Sequence, residues 1–316
     1  MTLTQRVEAA LPRLASLNPH VKITPLAQQP TLENIQSQLS PSFESSSSTT
    51  LPPLSSLVYT ISNPFAPYTL PLSSLHNLSQ SCRASSVKFH LAISQGLNGC
   101  LFQDLGATHQ FLVEKKFSSR NTRNALVEKV WSELQQENFV TLQESMGDTE
   151  AWKSKNKAVG RRKIRNSEGL WGVWALWEIL SDPEEQVQGP EDILPSLLLS
   201  KVDELLKARG LDGRTLWDAS GVDEQEWAET FLLNSLPTHS SQPADFAPTT
   251  AVLGGILSQE VLNSVGGREQ PKVDNWMVWY GLKGQAPVFR SGPGGEVKAV
   301  KTGTGAAAAV EGAPPQ

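Results

Sequence analysis

Ala247-Pro248-Thr249-Thr250-Ala251-Val252-Leu253-Gly254-Gly255-Ile256-Leu257-Ser258-Gln259-Glu260-Val261-Leu262, followed by Asn275-Trp276-Met277-Val278-Trp279-Tyr280-Gly281-Leu282-Lys283-Gly284, is the part of the chain on which the fold assignment turns. The first run carries apolar residues at helical spacing. The Gly254-Gly255 pair falls inside that apolar pattern, which favours close helix packing over a phosphate-cradling turn. The second run is a short apolar block followed by Gly281 and Gly284, and with Pro287-Val288-Phe289 it reads as a strand pair.

Working back towards the N-terminus, the same alternation of strand and helix recurs. Leu57–Ile61 reads as a buried strand, Leu70–Ser81 as a helix with Leu75 and Leu78 inward, and Val87–Ile93 as a second strand. Cys100-Leu101-Phe102 and Phe111-Leu112-Val113 follow as short strands, with Gly96, Gly99 and Gly106 at the turns. Strand, helix, strand in succession predicts a parallel α/β sheet. Residues 6–17 predict an amphipathic helix on Val7, Ala10, Leu11, Leu14 and Leu17, despite Pro12, which costs about 3 kcal/mol in a helix interior. Val21-Lys22-Ile23 predicts a strand, and residues 24–56, rich in Ser and Pro, a flexible loop. Residues 117–245 change character and predict a mainly helical insertion. It contains a basic stretch at 153–165, Trp171, Trp174 and Trp177, a helix through Leu194, Leu198, Val202 and Leu205, and a capping pair at Asp223 and Glu226. The domain plan is therefore 1–116, the insertion 117–245, a return at 246–291, and a Gly/Ala-rich disordered tail at 292–316.

The 316 residues are 39% hydrophobic and 19% charged, with net charge −5, which argues against a broad nucleic-acid surface. The two cysteines, Cys82 and Cys100, lack disulfide or metal spacing and predict a reducing compartment and structural roles. The five histidines are scattered without metal-ligand spacing. No apolar run approaches the ~20 residues of a membrane helix. The three tryptophans predict core or interface packing, and the basic stretch a solvated helix face or a nuclear localisation signal.

Three blocks resemble one family. Ala247–Val261 is similar to the "P-x-x-A-V-x-G-G-I-x-A-Q-E" helix of ubiquitin-like activating enzymes, and Asn275–Gly284 to the aromatic strand and turn of the smaller-subunit family of the heterodimeric SUMO-activating enzyme. Cys82–Phe89 with Gly96, Gly99, Phe102, Leu105 and Gly106 forms the second block, and Arg6–Ala10 with Leu17-Asn18-Pro19-His20-Val21 the third. The resemblance implies a partial Rossmann-like adenylation fold of the ThiF/MoeB type, here N-terminally truncated because the family's Gly-rich turn would precede residue 5. It implies a nuclear, non-catalytic subunit. The partner would be the larger catalytic subunit, which holds ATP and magnesium and forms the SUMO thioester. Truncation on this scale implies a marginally stable isolated chain. Val252, Leu253, Gly254, Gly255, Ile256 and Gln259 become candidates for partner contact, and Arg6 a vestigial nucleotide-binding position. Ser62-Asn63 stands where active halves carry a magnesium-binding Asp, and a neutral serine is a poor ligand for a hard dication. The resemblance leaves open an inactive partner-binding module or a different ubiquitin-like pathway. A nicotinamide oxidoreductase would need a Gly-rich turn that the sequence does not contain.

Overall fold

The computed structural model describes residues 3–39, 54–66, 69–120, 126–150, 152, 164–185, 187–236, 246–267, 269–293 and 297–299. Five strands form a mixed sheet in the order β1 (Ser56–Ile61), β2 (Lys88–Gln95), β3 (Asn98–Asp104), β6 (Trp276–Tyr280) and β7 (Val288–Phe289). β1 and β2 are parallel, joined through α3 (Leu72–Ala84), as strand-helix-strand order predicts. From β2 onward every pairing is antiparallel, so the sheet is mixed where a parallel one was expected. The reason is local. A tight turn at Gly96 (φ +55°) sends β3 straight back along β2, and a Cβ there would lie 1.9 Å from the Asn234 carbonyl oxygen.

A second sheet pairs β4 (His109–Arg120) with β5 (Leu126–Glu137), and β5 with β8 (Lys298–Ala299). This corrects the domain plan. The expected boundary at 116/117 cuts β4 in two, and the region expected to be helical opens with a long hairpin. Beyond it the helical expectation agrees: α4 (Leu142–Gly147), α5 (Glu168–Ser181), α6 (Pro195–Ala208), α7 (Gly213–Ser220) and α8 (Glu224–Ser235) follow. Asp223 caps α8 by accepting from the Glu226 N–H. The basic stretch lies outside the described residues from 153 to 163. The tail is described only at 292–293 and 297–299, where Lys298–Ala299 pair with β5.

One face of the five-stranded sheet carries Tyr59, Ile61, Phe89, Leu91, Ile93, Cys100, Phe102, Trp276, Val278 and Tyr280, all buried in one core with α3 and the helical region. Trp171, Trp174 and Trp177, spaced three apart on α5, all lie in that core. Trp174 packs edge-on against Trp276 at 5.4 Å and against Trp171 at 5.2 Å, and Trp152 lies 4.9 Å from Trp171. Arg209 is buried over the rings of Trp171 and Trp174. The opposite face is covered over β2 and β3 by α9 (Ala247–Gly266), through Leu253 packed with Ala92, Leu101, Val273 and Met277.

The N-terminal region departs most from expectation. α1 (Leu3–Leu17) forms, but its apolar stripe is not fully buried: Val7 and Leu11 are half-buried, while Leu14 is 49% and Leu17 80% exposed. Val21–Ile23 is irregular rather than a strand, because no strand among the described residues pairs with it. Inside the expected loop, Leu32–Leu39 forms α2, started by Thr31, whose hydroxyl accepts from the Asn34 N–H at 3.3 Å. α2 packs on α3 through Leu39 and a 2.7 Å bond from Gln36 to Ser81. β1 is therefore the outermost strand of its sheet. Val58, on the side α9 covers further along, is 42% exposed.

Trp276→Ala removes the ring shared by Phe102, Trp174 and Trp177. It is expected to cost about 3–5 kcal/mol, read as a lowered urea midpoint at unchanged slope.

Candidate functional site

The outward side of α9 is the surface that the sequence singled out, and its inner side explains why it is presented. Leu253 is 3% exposed, and its Cδ1 occupies the space where a side chain on Gly99 would begin, 2.3 Å from that ideal Cβ. Thr250 meets Ser94 on β2 at 3.0 Å. Glu260 is buried, and its carboxylate accepts from the backbone N–H groups of Lys272 and Val273 and from the Gln103 amide. It thereby ties the chain entering β6 to β3. Gly267, in left-handed conformation, ends the helix and accepts from the Leu112 N–H.

Of the six candidate contact residues, Leu253 points into the protein and Val252 and Ile256 are half-buried at the flanks. Gly254, Gly255 and Gln259 face outward. A Cβ at Gly254 or Gly255 would meet no atom of the described residues within 4 Å, so the glycine pair does not serve close packing among them. Leu262 (68% exposed) and Val265 (57%) continue the same open side towards the helix end. This face is thus flat and free of side-chain bulk at its middle, and apolar at one end.

Arg6 lies in α1, and its side chain is outside the described residues. Asn63 follows β1 as the sequence placed it, but its side-chain oxygen is taken by the Phe65 N–H at 2.9 Å in a turn that also holds Thr69. Among the described residues no three His, Cys, Asp or Glu side chains group as a metal site. Both cysteines are buried. Burial, helped by Asp104, pushes the Cys82 thiol up to about 12, and burial raises that of Cys100 as well, so neither is a ready nucleophile.

Two groups had no signal in sequence. Asp104, buried on β3, accepts from Arg83 on α3 and from the Gly106 N–H, and Arg83 also donates to the Phe139 carbonyl. Desolvation outweighs the guanidinium and raises the Asp104 carboxyl above its usual range. His90, on β2, and His109, which opens β4 against Phe111 and Phe139, are both buried. Burial lowers each to about 4, with Lys88 acting on both and His109 also acting on His90.

No protein-family model matches the chain, and no curated protein matches it. No helix among the described residues is long and apolar enough to cross a membrane.

Two outcomes are expected of the isolated chain. Gly254→Ala and Gly255→Ala each stabilise it by about 1 kcal/mol, since the sites are helical and open; urea denaturation measures this. Stability also depends on the histidines. The unfolded chain takes up protons at the ordinary value of 6.5, which the folded chain refuses until about 4. Their contribution is therefore complete above pH 6.5 and falls on acidification towards pH 4, by up to about 1.4 kcal/mol per pH unit for each. His90→Phe flattens the midpoint-against-pH curve in that window.

Proposed function

We propose that this chain is the non-catalytic, partner-binding half of a heterodimeric enzyme that activates SUMO, with a Rossmann-like adenylation fold of the ThiF/MoeB type. The larger subunit would hold ATP and magnesium, adenylate the SUMO C-terminus and form the thioester. This chain would supply an interface and support to that site, in the nucleus.

The observation that carries the reading is the outward side of α9. The segment with the strongest resemblance folds as a helix held from below by Leu253 and Glu260, while Gly254, Gly255 and Gln259 remain open. Two adjacent glycines in mid-helix cost about 2 kcal/mol against alanine and fill no need inside the chain. A surface that lets a second protein's backbone approach closely gives them a reason. The neutral turn at Asn63, whose side chain is already engaged, fits a half that leaves the metal to its partner.

Co-expression with the larger subunit of a SUMO-activating enzyme tests the proposal. A stable complex is expected, and Gly254→Arg or Gly255→Arg is expected to weaken it about a hundredfold without lowering the isolated chain's melting temperature. A complex that forms but yields no SUMO adenylate would favour the second reading, a partner-binding module without enzymatic output. Failure to form any complex overturns both.

A further inference from the structure

The underside of α9 holds a second feature, independent of the docking face. Lys88 and His90 stand two residues apart on β2 and so share a face of the sheet. Ser56 on β1 lies in register with Lys88, and Gln103 on β3 with His90. α9 passes over them. Its Ser264 carbonyl accepts from the Lys88 ammonium, and the preceding residue, Asn263, is buried. β4 enters from the side, with His109 at its start and Leu112 bonded to Gly267.

Among the described residues, several buried polar atoms of this group have no hydrogen-bond partner: both ring nitrogens of the wholly buried His90, Nε2 of His109, Nδ2 of Asn263 and Oγ of Ser56. Buried polar groups left unpaired cost about 1–3 kcal/mol each. Native proteins meet that cost with water or a ligand. The nearby carboxylates are already engaged. Both oxygens of Glu260 are taken by Lys272, Val273 and Gln103, and Glu137, across the ladder from His109, is paired with Arg290. What remains is an ammonium, an amide, a hydroxyl and two imidazoles, a set dominated by donors and carrying positive charge.

We propose that Lys88, His90, His109, Asn263 and Ser56 form a binding site for a small inorganic anion beneath α9. The Lys88 ammonium supplies the charge, and the Asn263 amide, the Ser56 hydroxyl and one N–H of each imidazole supply directed donors. Bound charge favours the imidazolium forms, so binding takes up protons and tightens as pH falls. A protonated oxyanion such as phosphate also donates, and so answers the ring nitrogens that a halide leaves bare. The ammonium opposes a metal cation at the same place.

The full chain serves as the test, with chloride, inorganic phosphate or zinc titrated at constant ionic strength at pH 6. An anion-dependent rise in melting temperature is expected. Its half-saturating concentration should be about tenfold higher in Lys88→Met, from the loss of one charge-assisted contact. Because Lys88 also caps α9, the wild-type histidine ring resonances give a second reading. Those of His90 and His109 should move with added anion and titrate at higher pH in its presence. The relative response to phosphate and chloride identifies which anion is held. Ring resonances and melting temperature that ignore both anions, or that respond to zinc alone, overturn the proposal and leave water or a metal as the partner of these atoms.

Discussion

Asn275 and Trp276 at the start of β6 hold the molecule together, because both are fully buried and each polar atom they bring inside has to be answered. The Asn275 amide donates to the Ser291 carbonyl and the Ser145 hydroxyl, and its oxygen accepts from the Ser291 N–H. The Trp276 indole donates to the same Ser145 hydroxyl at 2.6 Å, while Trp152 donates to the Ser291 hydroxyl. Three distant parts of the chain, α4, Trp152 and the exit of β7, are thus fixed to one strand. A half-answered network of this kind costs more than none. Its completeness is what lets the sheet and the helical region share a single core.

The two faces of the sheet then follow separate rules. On the face with α3 and α5, aromatic rings interlock and Tyr280 closes the far end: its hydroxyl donates to Asn166 and accepts from the Gly169 N–H, next to the Lys283–Glu168 ion pair. On the other face a single helix spans β2 and β3, with few apolar contacts and several polar ones. That sparse attachment leaves room for the unpartnered histidines beneath the helix and for a bare strip above it. β1, at the margin, pairs with β2 alone among the described strands and leaves Val58 exposed on that side, and α1 leaves Leu14 and Leu17 exposed.

The central elements were legible from periodicity because local pattern and final burial agree in them. β1, α3, β2, β3, α9 and β6 all lie within a few residues of where their apolar spacing puts them. The misses have physical causes. The β4–β5 hairpin is long and rich in charge, so its alternation is weak beside its composition. α2 was outvoted by the surrounding prolines, although Leu32, Ile35 and Leu39 are spaced for one helical face. For α1 the pattern was read correctly, but amphipathicity states only that a helix could be buried, not that a surface exists to receive it. In the candidate site, helical spacing identified the segment but not its orientation. Leu253 is buried and its neighbour Gly254 exposed, and only the sheet below decides which is inside. Ser145, Ser291, His90 and Asp104 gave no signal, since each acquires its role from residues far along the chain.

Gly99 gives the outer surface its shape from underneath. Because the position has no side chain, Leu253 drops into the gap and seats the helix low on β3, with the Ile93 carbonyl 2.9 Å from where a methyl group would stand. The relief offered to the outside world is therefore written one layer down. A single added carbon on an interior strand would jack up the helix above it and tilt its bare strip, without altering one residue of the strip itself.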